Sequence, residues 1–483
     1  MVMPPPTRHL ACAAAAALAL SACTTVGPDF VPPAPPSGAA GAGYAMAGDT
    51  GPAGVRLTPD ARALGPWWQA FGSPELDSTI RQALADSPTL AEARAALERA
   101  QAQAAATRGA QLPQADFGGS AQRERINFQS FGFPGTNNPT INLYSIGAAV
   151  TYDLDIFGGH RRASEAAGAR VEAAARQADA AYLTLSGNMA QQAMRIASLR
   201  AQIAALRQVV TDDRQVIDMV RKAQAAGAEA PSAISGGVAQ LAGDEALMVP
   251  LQRQLDAARH QMALLAGKSP GEWRAPEFDL AGLTAPAEIP VSLPSQLVRQ
   301  RPDILAAEAE MHAATAVIGV AVANQYPDIR LSASDTQASL APENLFNYAS
   351  SGWSLLAGIS GPVFNGGTLK AQRQAAEAEA RASLARYQQT VLRAFVQVSN
   401  VLSNLSGDQQ SIAALERATE AAQASAQDAQ TAYRLGGGRL LDVIDTQRTL
   451  SRARRALAEA QGQRMSDLVE LYAVTAGEWR AAG

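Results

Sequence analysis

The sequence predicts a mainly α-helical chain that also carries short membrane β-segments, arranged as two tandem copies of one plan. Three observations lead there. Apolar residues recur in alternating steps of three and four along two very long stretches, the mark of coiled-coil packing. Shorter segments switch to period two, as lipid-facing and lumen-facing residues alternate in a membrane barrel. The order helix, proline turn, strand, glycine turn, long helix, glycine break and return helix occurs twice. Aromatics are only 5% of the chain, a composition that suits closely packed helices better than a bulky mixed core.

Residues 1–22 read as an export signal. Arg8 sits in a short n-region, and the apolar run from Ala11 to Ala19 is too short to span a bilayer. Leu20-Ser21-Ala22-Cys23 resembles the bacterial lipobox, whose cysteine is acylated and becomes the mature N-terminus. Several acyl chains, at about 0.8 kcal/mol per buried CH₂, make a durable anchor. Thr24 stands where the inner-membrane retention signal has aspartate, so the resemblance implies an anchor in outer-membrane lipids. Residues 23–64 then form a lipidated tether. Its prolines from Pro28 to Pro33 favour an extended polyproline path, and Gly38 to Gly54 is small and flexible.

The first copy occupies residues 65–272, a Pro-rich connector 273–294, and the second copy 295–483. A helical pattern from Ala91 ends in Gln111-Leu112-Pro113-Gln114, and one from Ala306 ends in Gln325-Tyr326-Pro327-Asp328. In the first copy Ile146, Ala148, Val150, Tyr152, Leu154 and Ile156 alternate with small or polar residues. In the second, Trp353, Leu355, Ala357, Ile359 and Val363 share a face. Less regular strands are expected near 117–126 and 329–338. The alternation alone fits a two-sided soluble sheet equally well. The turns Phe157-Gly158-Gly159 and Phe364-Asn365-Gly366-Gly367 then open the long helices.

The first seam runs from Tyr182 through Leu185, Met189, Ile196, Leu199, Ile203, Leu206, Val210 and Ile217 to Val220, broken by Gln192 and Asp213. The second runs from Leu384 through Tyr387, Val391, Val398 and Leu405 to Leu415, interrupted by Asp408. At 1.5 Å per residue, the stretch from His160 to Ala225 extends for roughly 100 Å. No compact domain needs such a rod.

Four strands leave two open edges, and an unpaired edge in hydrocarbon costs several kcal/mol per group. Single-chain membrane barrels begin at about eight strands, so several copies must pool theirs. Composition does not decide between two chains and three.

The lipobox, Val26-Gly27-Pro28-Asp29-Phe30, Trp67-Trp68 with Phe71, Arg301-Pro302-Asp303-Ile304, the two glycine turns and Asp442-Val443-Ile444-Asp445 occur in order. Together they resemble the TolC/OprM-type outer-membrane factor family, in its NodT-like lipoprotein branch that serves RND efflux systems. The resemblance covers essentially all of the mature chain. It implies a homotrimer whose four strands per chain form a twelve-stranded β-barrel, continued by a coiled-coil periplasmic tunnel. It implies two partners, a periplasmic adaptor (membrane fusion) protein and an inner-membrane RND-type pump. Around the tunnel it implies a belt drawn from Trp67–Leu84 and Leu471–Trp479.

Asp442 and Asp445 lie three residues apart, one helical turn along one face. Threefold symmetry would make them two stacked acidic rings that attract cations. The bland alternative is a solvated helix face. In the family the matching aspartates lie at the periplasmic entrance and the matching tyrosine helps hold it shut, which carries over to Asp442, Asp445 and Tyr433. An arginine of the family's closing network would fall at Gly438, beside Arg439. The helix break at Tyr433-Arg434-Leu435-Gly436 resembles the tip that meets the adaptor, with Gly227 in the same role in the first copy. Phe128, Phe131, Phe133 and Phe346 fall in the loops closing the strand pairs and are expected to pack at the barrel rim.

Other classes fare poorly. A net charge of −4 leaves no footprint for nucleic acid. Cys12 and Cys23 are the only cysteines, and His9, His160, His260 and His312 stand in no ligand spacing. No nucleophile–base set appears, so no enzyme, cofactor or metal site is predicted. The reading is an exit duct for small toxic compounds across the Gram-negative envelope. Two alternatives stay open: the outer component of a protein-secretion system, and a lipid-anchored helical spacer without a pore.

Overall fold

The computed structural model describes residues 25–34, 57–59, 66–132, 135, 138–286, 289–291 and 294–475. The export signal, Cys23, most of the tether, Phe133 and Trp479 lie outside the described residues.

In chain order, β1 (Leu57–Pro59) and a 3₁₀ turn (Trp67–Phe71) precede α1 (Pro74–Asp86) and α2 (Pro88–Gly109). Strands β2 (Gln114–Arg125) and β3 (Thr140–Leu154) lead into α3 (Gly159–Ala225), which turns back as α4 (Pro231–Leu265). After β4 (Ile289–Val291) and α5 (Pro294–Gln300), the plan repeats. It gives α6 (Pro302–Ala323), β5 (Asp328–Ser339), β6 (Ser351–Ser360), α7 (Thr368–Arg434) and α8 (Leu440–Thr475). Both long helices, α3 and α7, contain 67 residues. That equality is the duplication read from the sequence.

Local chemistry sets the boundaries. Ser73 caps α1 by accepting a hydrogen bond from Leu76 N at 3.2 Å, with Pro74 in the first turn. Pro113 and Pro327 lack an N–H and end the helical runs just before β2 and β5. Leu154 is the last residue of β3, so Ile156 falls after the strand. Gly361-Pro362 stops β6 at Ser360, so Val363 lies beyond the strand face it was expected to share.

The chain divides into two compact units. The first comprises Met1–Pro33, Ala96–Ala174 and Ala307–Tyr387 and holds an antiparallel sheet of order β2-β3-β5-β6. Val150 stands opposite Ala115 and Ala333, and Ala333 opposite Leu355. This register collects Phe117, Ile146, Val150, Leu331, Trp353, Leu355 and Ile359 on one face. The other face carries hydroxyls, with Ser120 bonded to Ser145 at 2.8 Å and Ser334 to Ser354 at 2.9 Å. Phe117, Trp353, Leu355 and Ile359 are each more than 70% exposed, an apolar patch of the kind that marks a membrane or protein interface and that a lipid-facing strand surface carries. β2 and β6 remain open edges.

The second unit comprises Ala34–Ala95, Ala175–Ala306 and Gln388–Gly483. Trp67 stacks on Tyr472 at 6.0 Å between ring centres, and Phe71 meets the same ring edge-on at 5.8 Å. The two regions expected to form a belt are therefore in contact. The tether is not featureless, because Leu57–Pro59 pairs in parallel with Ile289–Val291 of the connector. The first seam is buried as expected from Leu185 to Val220, and Asp213 is buried within it. α6 is long and apolar enough to cross a membrane by composition, yet Ile304, Ala309, Ala313 and Ala316 are buried inside the protein.

Candidate functional site

The site is built where the long helices turn. Gly227 and Gly436 adopt φ of +78° and +80°, left-handed values that close each helix and send the chain back. Under the turns, Val216, Val220, Leu440 and Val443 form a buried apolar cluster that joins the first helix pair to the second. Tyr433 and Ile444 pack against it.

Tyr433 donates its hydroxyl to Glu229 Oε1 at 3.2 Å, a bond between the tips of the two pairs. Burial and then the adjacent Glu229 carboxylate push the phenol up, so it remains a neutral donor at physiological pH. Arg434 and Leu435 are exposed; Arg434 Nη2 donates to Thr431 on its own helix. Asp442 lies in the first turn of α8 and accepts from Arg439 N at 3.4 Å, while Asp445 is exposed one turn on. Neither carboxylate is ion-paired among the described residues. A Cβ on Gly438 would meet Tyr433 N at 2.8 Å, so an arginine cannot stand there without moving the loop.

Further along, the two pairs are laced together. Asp212 on α3 accepts from Gln447 Nε2 at 2.8 Å and is ion-paired with Arg454 at 3.5 Å. Arg448 Nε donates to Gln240 on α4 at 2.7 Å. Each pair also holds two facing carboxyls. Asp213 of α3 faces Asp244 of α4, and Asp408 of α7 faces Asp467 of α8. Burial, and then the facing carboxyl, push Asp213 and Asp467 up to about 7. Gln240 and Gln463, each four residues earlier on the return helix, donate to Asp244 and Asp467. No group of three or more metal-ligating residues gathers among the described residues.

The structure thus bonds Tyr433 to Glu229 of the first tip, leaves Arg434, Leu435 and both tip glycines exposed where the helices turn, and places Asp442 and Asp445 exposed in the first turns of α8. Sequence reasoning missed Glu229, whose only signal is its place beside Gly227. It saw Asp213 and Asp408 as breaks in the seams but not their partners.

Comparison with known proteins bears on this arrangement. Residues 79–268 and 293–477 match the family described as outer membrane efflux protein. The pyoverdine export outer membrane protein OpmQ of Pseudomonas putida is 31% identical over 486 residues, spanning 98% of both chains. The cation efflux system protein CusC of Escherichia coli is 27% identical, over 86% of this chain and 88% of that one. The solved outer-membrane channel OprN superposes with a TM-score of 0.83 at 27% identity, over 94% of this chain and all of that one. With a family match over most of its length, the chain belongs to the outer membrane efflux proteins: trimeric outer-membrane exit ducts in which four strands per chain complete a barrel continued by a helical periplasmic tunnel.

Proposed function

We propose that this duct serves an inner-membrane RND-type pump through a periplasmic adaptor, exports small toxic compounds, and is closed at rest by its second helix pair. The observation that carries the gate is the Tyr433–Glu229 bond, which ties the second tip to the first above a shared apolar floor. Asp442 and Asp445 are exposed beside it and carry no ion pair among the described residues, so a threefold axis turns them into acidic rings that attract cations and repel anions. Arg434, Leu435, Gly436 and Gly227 form the tips offered to the adaptor. Cys23 carries the acyl chains. The relatives named for pyoverdine export and for cation efflux handle unlike cargo, which supports a duct whose selectivity lies upstream.

Planar-bilayer recordings test the gate. Tyr433→Phe removes a bond of about 1 kcal/mol, and should raise the open fraction roughly five-fold per latch. Asp442→Ala with Asp445→Ala should weaken block by multivalent cations. Unchanged cation sensitivity would reduce the aspartates to a solvated helix face.

A further inference from the structure

The segment just after Cys23 is not a loose leash. Val26 N donates to Phe157 O at 3.1 Å, at the turn that follows β3. Arg162, whose side chain is only 5% exposed, then takes hold of the segment at three points. Its Nε donates to Val26 O at 3.1 Å, and its Nη2 to Gly27 O at 3.2 Å and to Asp29 Oδ1 at 2.7 Å. Glu165 holds the guanidinium from the opposite side at 2.7 Å, and is bonded in turn to His312 at 3.0 Å. Phe30 stacks on the His312 ring, 4.3 Å between centroids and 16° from parallel. Gly27 adopts φ +91°, and a Cβ on it would overlap the backbone of Gly319 on α6. A Cβ on Gly319 would in turn strike the Arg162 side chain. The groove is therefore shaped by residues of both copies: Arg162 and Glu165 from the start of α3, His312 and Gly319 from α6.

A buried arginine needs its donors satisfied, and two of these acceptors are main-chain carbonyls that any sequence would offer. What selects this segment is the glycine that permits close approach, the aspartate that completes the charge, and the aromatic ring that covers His312. Two peptide units separate Cys23 from Thr25, a reach of at most about 7 Å. Docking at Phe157, with Thr25 against Gly158, fixes the near end of the strap at the turn that follows β3.

We propose that Arg162 is a positioning residue for the lipid anchor: it clamps the Val26–Phe30 strap into the groove between α3 and α6, and so holds the acyl chains beside the barrel rather than on a free tether. This rests on the reading that Cys23 is acylated.

The test uses full-length protein from outer membranes, with a single spin label on Val31→Cys, a 74% exposed position just outside the strap. Intact mass first reports whether Cys23 carries acyl chains, and its absence there would undo the acylation reading and, with it, the anchor role. On the acylated trimer the label should be immobilised. Arg162→Gln should release it to fast motion while SDS-resistant trimers persist, a split that a purely structural arginine would not produce. Asp29→Asn with Phe30→Ala alters only the strap, and should mobilise the label even where Arg162→Gln fails to assemble. A label that stays immobile in both backgrounds would overturn the clamp.

Discussion

The two helix pairs descend from one plan but solve their packing differently. In the first, α4 carries Pro250 and three glycines, Gly236, Gly237 and Gly243, all poor in helix propensity. In the second, α8 has a single glycine, Gly462, packed so tightly that a Cβ would overlap Ser198 of α3. Nothing lies within 4 Å of a Cβ built on Gly243. The facing carboxyls also sit at different depths: Asp213–Asp244 lies near the first tip, and Asp408–Asp467 about twice as far from the second. The second pair bears the exposed Asp442 and Asp445 at the start of its return helix, where the first has Ser232. Duplication thus preserved length and seam, the properties packing demands. The polar positions diverged. Those are where a duct can acquire a gate on one side only.

The largest expected effect separates the glycines. Gly462→Leu should cost on the order of 3 kcal/mol or more through overpacking, lowering the midpoint of thermal trimer dissociation. Gly243→Ala should instead leave that midpoint unchanged or raise it, by up to about 1 kcal/mol from helix propensity. Equal responses would erase the distinction between the two return helices.

Next comes pH. Because Asp213 and Asp467 are raised to about 7 from an ordinary 3.8, the native state binds protons that the unfolded chain has released. Their stabilising contribution is complete below about pH 4 and is lost as pH rises toward 7. The slope is about 1.4 kcal/mol per pH unit per pair, and it levels off above. Denaturant midpoints measured across that window should therefore fall with pH. Asp213→Asn should remove one share of the slope and Asp467→Asn the other. A slope surviving both substitutions would place the titration elsewhere.

The smallest effect is expected at Arg454, which reaches Asp212 across the two pairs but stays partly exposed. Arg454→Ala should cost less than about 1 kcal/mol and diminish further at high salt. A larger loss would mean that the lacing between pairs, and not the apolar floor, holds them together.

Much of this fold was legible in the chain. The seam from Leu185 to Val220 is written in apolar spacing, because a helix face must be apolar where it is buried. The strands were visible where alternation is clean, as around Val150, and less so in β2, where glycines dilute the pattern. The registers were not readable, since β3 pairs with β5 across nearly two hundred residues. At the site, Tyr433 was singled out from the family likeness alone, and its partner Glu229 lies 204 residues away in a turn without periodic pattern. The prolines after Val26 suggested an extended tether. The clamp escaped notice because Arg162 looks like any helix-opening cation until its carbonyl partners are seen.

Open-edged four-stranded sheets from several chains close into one water-filled conduit. Single-channel recording of the purified, acylated protein in a planar bilayer tests this closure. Stepwise conductance carried by SDS-resistant trimers is the expected result; protein that inserts into the bilayer yet passes no current would contradict it.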